Sequence, residues 1–388
     1  MKDFEFCFPT KVIFGRDAQL RIGEFAAKYG TRAMLLYGSQ RVKSSGLLPT
    51  IASQLTERKI WFTEFGGIEE NPTLTKAEEG CRLARAEKVD LLVAVGGGSV
   101  IDIAKAISVG TGYDGPLWDL YEGTGHVSDA LPVGVVLTIA ATASEANCVS
   151  VLCNTRLGLK LAMTNPLTYP KFALMNPELT YTVPPYQTAA GSMDIFSHAF
   201  ERYFHKEQSG TLRDLLCASV MCTVVTELPK ALSNPNSYDA RSQLMWTATV
   251  AHSNMLGLEG DFACHALSHV LTNQFGISHG AALGILMIAW CSYMLGEEEK
   301  AISKFAKQVW QVPDTNHPGQ TAQNGISELQ RFTSSVGLPV TLREAGFPEA
   351  DVEQLAAKAV DTTGGFIGGN FRRLYRKDIV RILQFAAG

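Results

Sequence analysis

The chain has 388 residues, and because single domains mostly hold about 100–200 residues, two domains are expected. Hydrophobic residues make up 46% of the chain and charged residues 19%, which predicts a globular protein and excludes an intrinsically disordered one. The formal net charge of -4 argues against a dedicated nucleic-acid-binding protein, since such proteins are usually basic.

Strand-like and helix-like segments alternate along the first half of the chain. Short apolar runs predict strands over residues 33–37, 60–65, 91–95 and 133–137. Helical spacing of apolar residues predicts helices over residues 47–58 and 75–88. Strands separated by helices form βαβ units, so the pattern predicts a mostly parallel sheet, and the continuously apolar strands indicate a sheet covered on both faces. We therefore expect an α/β, Rossmann-like domain over residues 1–183.

Beyond Pro184 and Pro185 the strand signals fade and long helical patterns follow. These patterns cover residues 189–205, 212–228, 239–254, 261–273, 281–295, 301–309, 352–360 and 376–385. Loop signals are strong between residues 313 and 325. Because proline biases the preceding residue away from helix, the proline pair marks a domain boundary, and we predict an all-helical domain over residues 184–388.

A run of three glycines follows the predicted strand at residues 91–95. Gly96, Gly97 and Gly98 lead into Ser99 and a helical pattern. Glycines let backbone N–H groups approach a pyrophosphate, and the start of a helix adds a partial positive charge. Ser99 can either cap this helix or donate to a phosphate oxygen. The run differs from the GxGxxG fingerprint, so a tight strand-to-helix turn without a ligand is the alternative interpretation.

A second candidate for cofactor contact lies after the strand at residues 33–37. In dinucleotide-binding folds an acid near this position holds the adenosine ribose, whereas basic groups accommodate a 2′-phosphate. Here Gly38 and Ser39 are followed by Arg41 and Lys43, with no acid. The composition favours NADP(H) over NAD(H), although an ordinary solvated polar turn would look the same.

Candidate metal ligands are concentrated in the second half of the chain. Asp194 and His198 are spaced i, i+4, which places them on one face of a helix, and His265 and His269 repeat that spacing. A helix-turn-helix excursion can bring His279 back beside His265. This set exceeds the needs of a mononuclear site, so one histidine is available for chemistry. Carboxylate and imidazole ligands suit Fe²⁺ or Zn²⁺. The alternative is that these histidines pack or face solvent singly.

These motifs resemble the iron-containing (group III) alcohol dehydrogenases, in particular their butanol dehydrogenase and NADPH-dependent aldehyde reductase branch. The segment from Gly96 to Lys105 is similar to that family's GGGSxxDxAK element, and the spacing from Asp194 to His279 is similar to its metal site. The resemblance covers nearly the whole chain. It implies a dehydroquinate synthase-like architecture, with a dinucleotide-binding domain followed by a metal-binding domain.

The resemblance also implies roles for single residues. The metal would be held by Asp194, His198, His265 and His279. His269 would lie near the nicotinamide and act as the catalytic histidine. The cofactor would contact Gly38, Ser39, Lys43, Asn71, Gly97, Gly98, Ser99, Asp102, Thr138, Thr142 and Lys160. Ile139 and Ala141 depart from the threonine and glycine that many members carry in the cofactor loop.

The expected function is reversible hydride transfer between NAD(P)(H) and a small alcohol or aldehyde, with the metal as a Lewis acid. His269 could relay the proton. Alternatives are a glycerol- or hydroxy-acid-type metal-dependent dehydrogenase, a dehydroquinate synthase-type cyclase, and a non-catalytic nucleotide or metal sensor.

The expected environment is the cytoplasm. The eight cysteines form no CxxC pair, which indicates reduced thiols, and acids at positions 3 and 5 argue against a signal peptide. The longest uncharged apolar stretch, residues 281–295, is shorter than the roughly 20 residues of a membrane span. We therefore expect no membrane or nucleic-acid partner, and the resemblance implies a homodimer.

Overall fold

The computed structural model describes residues 5–38, 40–206, 211–257, 259–361 and 363–388. It divides into two compact units, one spanning Phe6–Thr182 and the other taking in Val183–Gly388. The strands of the first unit are β1 (Lys11–Phe14), β2 (Arg32–Tyr37), β3 (Trp61–Phe65), β4 (Leu91–Gly96), β5 (Val133–Leu137), β6 (Val149–Asn154), β7 (Leu159–Thr164) and β8 (Phe172–Met175). Its helices are α1 (Ile22–Ala26), α2 (Arg41–Ser44), α3 (Leu47–Glu57), α4 (Leu74–Ala86), α5 (Gly98–Gly110) and α6 (Asp119–Glu122).

The first unit is built on a six-stranded parallel sheet with the order β1-β8-β5-β4-β2-β3. Every residue of β4 and β5 is buried, as expected for strands covered on both faces. The predicted mostly parallel sheet is therefore confirmed. Strands β1, β6, β7 and β8 were not predicted; β1 and β8 have only four residues each, too few for periodicity to separate a strand from other buried segments.

The second unit is mainly helical. Its helices are α7 (Pro185–Tyr203), α8 (Thr211–Ser233), α9 (Tyr238–His252), α10 (Ala263–Phe275), α11 (His279–Met294), α12 (Glu299–Trp310), α13 (Pro318–Ser335), α14 (Val352–Asp361) and α15 (Arg376–Ala387). An antiparallel pair of three-residue strands, β9 (Phe366–Gly368) and β10 (Arg373–Tyr375), lies between the last two helices. The predicted helical domain is therefore confirmed, with this short hairpin as the exception to its all-helical character.

Helix α13 begins inside the segment whose composition predicted a loop. Pro318 occupies its first turn, where proline needs no hydrogen-bonded N–H group. Leu329 is fully buried, and Gly325 packs so closely on α12 that a Cβ atom there would lie 2.3 Å from the Cβ of Ala306. Tertiary packing therefore overrides the weak helix propensity of this glycine-containing segment.

Helix α8 is long and apolar enough to cross a membrane by length and composition, a property that the apolar run at residues 281–295 lacks. The core helix of a soluble protein passes the same test. Helix α8 packs against α7, α9 and α12, and it buries Val220, Met221, Val224 and Leu228. The length and composition of α8 are therefore weak evidence for a membrane segment.

Candidate functional site

Helix α7 positions the first two candidate ligands. Asp194 and His198 are 3% and 4% exposed and lie one turn apart in a helix whose residues from Thr188 onward are all buried. The Nδ1 atom of His198 lies 2.8 Å from the backbone carbonyl oxygen of Asp194. A proton on Nδ1 satisfies this hydrogen bond and leaves the lone pair of Nε2 available for a ligand.

A close helix crossing brings His279 to the same point. A Cβ atom at Gly280 would lie 1.8 Å from the carbonyl oxygen of Ala190, so only glycine lets the start of α11 approach α7 this closely. The Nε2 atoms of His265 and His279 each lie 3.7 Å from Oδ1 of Asp194. The structure thus brings Asp194, His198, His265 and His279 together around one carboxylate oxygen.

The donor set fits a divalent cation. Among the described residues, Oδ1 of Asp194 and Nε2 of His265 are buried without a hydrogen-bond partner. Such orphaned polar atoms are costly in a protein interior unless a ligand satisfies them. Candidate ligand atoms of Asp194, His198 and His265 all lie within 4.8 Å of one another. One carboxylate and several imidazoles suit Fe²⁺ or Zn²⁺ better than Ca²⁺ or Mg²⁺.

The electrostatic environment also favours a cation. Burial lowers the pKa of His265, but the nearby carboxylates of Glu201 and Asp194 outweigh burial and raise that pKa to about 9. At His198 burial dominates, and together with His252 it holds the pKa well below the ordinary value. The two carboxylates therefore stabilise positive charge beside His265, while His198 stays neutral and able to act as a ligand.

His269 lies at the edge of this cluster. Its ring centroid is 5.6 Å from that of His279, and its side chain is half-buried. Like His279, it is outside the compact group formed by Asp194, His198 and His265. The neighbouring Cys264 is buried, and burial raises the pKa of its thiol, which fits the interpretation of that residue as packing.

Three residues around the ligands were not predicted from the sequence. Glu201 accepts hydrogen bonds from α10, the guanidinium group of Arg202 lies 2.9 Å from Nδ1 of His252, and the centroids of the tilted His252 and His198 rings are 4.1 Å apart. The signal for Glu201 was present, because positions 194, 198 and 201 have the spacing of one helix face. His252 had only packing or polar-face interpretations.

In the first unit, a glycine turn occupies the carboxyl end of β4. Gly97 precedes α5, which begins at Gly98, and no side chain caps the helix. Ser99 lies inside the first turn, so its interpretation as the helix cap is wrong. A Cβ atom at Gly97 would lie 2.1 Å from Cγ2 of Ile139, and one at Gly98 would lie 2.6 Å from Oγ1 of Thr142. Uncapped N–H groups beside two glycines form a cradle that fits phosphate.

The order of the strands changes sides at β2: β3 is added on one side of β2, and the next strand of the sheet, β4, is added on the other. Strand β2 pairs with β3 on one side and with β4 on the other, so the carboxyl ends of β2 and β4 flank a topological switch point, where α/β folds bind ligands. Gly38 follows β2, and a Cβ atom there would lie 2.8 Å from the carbonyl oxygen of Ile68. The predicted contact at Ser39 lies outside the described residues.

Lys43 is engaged beside this point. Its Nζ atom lies 2.6 Å from Oε2 of Glu64, which also accepts a hydrogen bond of 3.0 Å from the hydroxyl group of Tyr37. The Nζ atom is 5.2 Å from the centroid of the Tyr37 ring. We name Tyr37, Lys43 and Glu64 the β2-end triad. The sequence pattern presented Lys43 as an available base and gave no sign of its acidic partner on β3.

Of the remaining predicted cofactor residues, Asn71 and Lys160 contact each other, whereas Thr138 lies beside the glycine turn and Asp102 lies in α5. Lys160 on β7 donates to Oδ1 of Asn71 at 2.9 Å, and the backbone of Asn71 is left-handed with φ 55°. The N–H group of Thr138 donates to the Gly96 carbonyl at 3.1 Å, next to the glycine turn. Asp102 lies one turn into α5, and its carboxylate accepts from the hydroxyl group of Ser144 at 2.7 Å.

A buried lysine supports the loop that carries Thr142. Lys105 is 0% exposed, and its Nζ atom donates to Oγ of Ser144, Oδ1 of Asn147 and the carbonyl oxygen of Val149 at 2.8, 3.0 and 2.8 Å. The loop contains Ala143 with φ 49°, a left-handed conformation that is unfavourable for alanine. Three hydrogen bonds from one ammonium group hold this strained loop against α5.

Comparisons with known proteins match both parts of the chain. A model described as iron-containing alcohol dehydrogenase matches residues 9–177, and one for the C-terminal part of the Fe-containing alcohol dehydrogenase family matches residues 188–387. The chain is 34% identical to NADH-dependent butanol dehydrogenase A of Clostridium acetobutylicum, covering 99% of each protein. It is 32% identical to the NADPH-dependent aldehyde reductase YqhD of Escherichia coli, covering 92% of this chain and 93% of that protein.

A solved structure extends this similarity to the whole fold. NADH-dependent butanol dehydrogenase A from Thermotoga maritima matches with a TM-score of 0.94 at 31% identity, covering 100% of this chain and 99% of that one. The named relatives use different nicotinamide cofactors, NADH in the butanol dehydrogenases and NADPH in YqhD.

Proposed function

The chain belongs to the iron-containing alcohol dehydrogenase family, and from this premise we propose that it catalyses reversible hydride transfer between NAD(P)(H) and a small alcohol or aldehyde. The observation that carries the proposal is the buried, unpartnered pair formed by Oδ1 of Asp194 and Nε2 of His265, with two further imidazoles beside it. A carboxylate and three histidines around one point are suited to hold a catalytic metal.

In this proposal Asp194, His198, His265 and His279 hold the metal. When bound, the metal supplies a Lewis acid that polarises the substrate oxygen, and the nicotinamide carries the hydride. His269 takes the proton that the hydroxyl group releases when an alcohol is oxidised and returns it when an aldehyde is reduced. The ring of His269 lies next to that of His279, which supports a role beside the metal.

The first unit binds the cofactor. We assign the pyrophosphate to the backbone N–H groups of Gly97, Gly98 and Ser99 at the start of α5. The remaining cofactor contacts in this assignment are Gly38, Ser39, Lys43, Asn71, Asp102, Thr138, Thr142 and Lys160. The division into a cofactor unit over residues 1–183 and a metal unit over residues 184–388 is part of the same proposal.

NADP(H) is the proposed preferred cofactor. No carboxylate stands at position 38 to hold a ribose hydroxyl, and the carbonyl oxygen of Ile68 leaves no room for a side chain there. The β2-end triad opposes this preference, because Glu64 occupies the ammonium group of Lys43 and would itself repel a 2′-phosphate. Butanol dehydrogenase A of Clostridium acetobutylicum is named for NADH, so the preference needs a direct test.

Replacing Glu64 by glutamine is expected to shift the cofactor preference toward NADPH. The substitution removes the negative charge and frees Lys43 to make a charge-assisted hydrogen bond to the 2′-phosphate. Such bonds contribute about 1.5–3 kcal/mol, so the ratio of kcat/KM for NADPH to that for NADH should rise about tenfold or more. Glu79→Gln, which breaks an exposed ion pair with Lys76 in the same unit, is the matched control. An unchanged ratio in Glu64→Gln contradicts a role of the triad in cofactor choice.

The proposed function is tested by metal analysis of the anaerobically purified protein, combined with kinetics on butanal with NADH and with NADPH. We expect about one Fe²⁺ or Zn²⁺ per chain and metal-dependent oxidation of NAD(P)H. Preference for glycerol or a hydroxy acid would instead indicate the polyol or hydroxy-acid dehydrogenase. Bound metal without turnover of any short aldehyde or alcohol would indicate a sensor.

The cellular setting is part of the proposal. Cys81, Cys148, Cys153, Cys217, Cys264 and Cys291 are buried free thiols, which suits a reducing compartment. We propose that the enzyme acts on small molecules in the cytoplasm as a homodimer, without nucleic-acid or membrane partners.

A further inference from the structure

We propose that Glu201 is a positioning residue of the metal centre, which fixes the ring orientation and tautomer of His265 so that Nε2 points at the metal. This inference rests on the metal site of the proposed function. Glu201 itself is no ligand, since its carboxylate faces Nδ1, the nitrogen on the far side of the His265 ring from the orphaned Nε2.

The carboxylate of Glu201 accepts its hydrogen bonds from donors of one helix, α10. It is 3% exposed, Oε1 accepts from the backbone N–H group of Cys264 at 2.6 Å, and Oε2 accepts from that of His265 at 3.3 Å. Oε2 also contacts Nδ1 of His265. A single side chain on α7 therefore binds both the start of α10 and the imidazole that this start carries.

This contact decides which nitrogen of His265 can bind a metal. A carboxylate only accepts hydrogen bonds, so Nδ1 must carry the proton, and the lone pair of the neutral ring then lies on Nε2. Nε2 is the nitrogen that lies 3.7 Å from Oδ1 of Asp194. A partner that donated to Nδ1 would place the proton on Nε2 and remove the ligand.

The three candidate histidines are oriented by partners of different strength. His198 uses the carbonyl oxygen of Asp194, and His279 lies 3.0 Å from the hydroxyl group of Ser268. The Nδ1 hydrogen bond of His265 joins its ring to a carboxylate, whereas those of His198 and His279 involve neutral oxygen atoms, with Nδ1 of His198 also 3.4 Å from Oδ1 of Asp194. A charged acceptor makes the stronger hydrogen bond and raises the basicity of the ring, so Glu201 has the largest effect on ligand strength.

The backbone around Glu201 holds the carboxylate in place. Its carbonyl oxygen accepts from the N–H group of Asp261 at 2.8 Å, which fixes the segment entering α10. Phe262 follows with φ 51°, a strained conformation, and its ring contacts that of His265 edge-on at 5.4 Å. His265 is thus confined between a carboxylate and an aromatic ring.

The test is Glu201→Gln, with metal affinity as the readout. Glutamine keeps the shape but has one acceptor oxygen where glutamate has two. Its NH₂ group must face either the Cys264 N–H group, where two donors meet, or Nδ1 of His265, where it favours the wrong tautomer. Loss of such an outer partner typically weakens metal binding about 10–100-fold. Apoprotein would be titrated anaerobically with Zn²⁺ and Fe²⁺ in competition with a chelator.

Asp378→Asn is the matched control. Asp378 is also buried, and its carboxylate accepts from the hydroxyl group of Tyr293 and the N–H group of Tyr375 at 2.7 and 2.9 Å. Both variants remove one buried carboxylate from the second unit, and we expect only Glu201→Gln to weaken metal binding. Affinity within threefold of wild type in Glu201→Gln, or an equal loss in Asp378→Asn, overturns the inference. Absence of metal binding in the wild type overturns the proposed function instead.

A second measurement does not depend on the folding of a variant. In the Zn²⁺-loaded wild-type protein labelled with ¹⁵N-histidine, His265 is expected to show a protonated Nδ1 and a metal-bound Nε2. Assignment of that spin system uses the His265→Ala spectrum. A protonated Nε2 or a metal-bound Nδ1 at His265 overturns the inference.

Discussion

Replacing His265 by alanine is expected to remove the metal and turnover together. Nε2 of His265 is, like Oδ1 of Asp194, a buried atom without a hydrogen-bond partner, and the His265 ring bridges Asp194 and Glu201. Without it, the cation loses a ligand and the two carboxylates lose the group between them. Lewis-acid catalysis contributes several kcal/mol to barrier lowering, so kcat should fall by about 10³-fold or more. Metal content and steady-state rates measured on the same preparation test this expectation.

The control for this prediction is His317→Ala. His317 lies in the same unit, just before α13, and its side chain is exposed. This variant should keep the wild-type metal content and rate. Full activity in a metal-free His265→Ala protein would refute the metal mechanism, whereas retained metal with lost activity would assign His265 to chemistry instead of coordination.

Replacing Lys105 by methionine is expected to lower the free energy of unfolding more than any other substitution proposed for this chain. The ammonium group makes three hydrogen bonds in a fully buried position, and Asp102 shares the hydroxyl group of Ser144 with it. Methionine has a similar length but no hydrogen-bond donor. The three acceptors would therefore lose their hydrogen bonds to Lys105, and the buried carboxylate of Asp102 would lose the nearby positive charge. Removing one member of a buried charged pair costs about 3–5 kcal/mol, which urea unfolding would measure.

Lys171→Met provides the comparison, since Lys171 is exposed in the same unit and its replacement should change stability little. The KM for either nicotinamide should also rise in Lys105→Met, because the strained loop around Ala143 loses its support. A free energy of unfolding within about 1 kcal/mol of wild type, on the order of an ordinary surface substitution, would contradict the proposed support.

The pH dependence of Lys105→Met follows from burial. Burial lowers the pKa of Lys105 to about 8, against the opposing effects of Asp102 and Glu145, while the unfolded chain retains the ordinary value of about 10.4. Between these values the unfolded state binds more protons than the native state, so native stability rises with pH. The stability gap between wild type and Lys105→Met should therefore widen from about pH 8 to about pH 10. A gap that narrows over this interval would contradict the assigned shift.

The sequence predicted well those strands and helices that have an extended apolar pattern. Strands β2 to β5 and the long helices differ from their predicted bounds by a few residues, because extended apolar patterns leave few alternatives. The short strands β1 and β8 carry too few residues for a pattern. Helix α13 was missed because its glycines and asparagine suggest a loop, and the burial that outweighs them comes from residues distant in sequence.

In the candidate site too, local patterns predicted some residues but not the contacts between distant parts of the chain. The i, i+4 spacing of Asp194 with His198 is enough by itself to place both on one helix face. The approach of His279 to Asp194 depends on the contact between Gly280 and Ala190, which no local pattern encodes. Likewise, Lys43 looked free because its partner Glu64 lies on another strand. Local spacing predicts the candidate ligands, and tertiary contacts decide what those side chains touch.

The close crossing of Gly280 over α7 has a consequence for the lifetime of the protein in a cell. Asp194 and His279 belong to helices separated in sequence by α8, α9 and α10, so an ion held by both closes a long loop as a cross-link would. Ligands that bind only the folded state stabilise it by about 4 kcal/mol at a thousandfold excess over Kd. The concentration of available metal would therefore affect the resistance of the protein to proteolysis as well as its activity, and a chain without the metal would be degraded more readily.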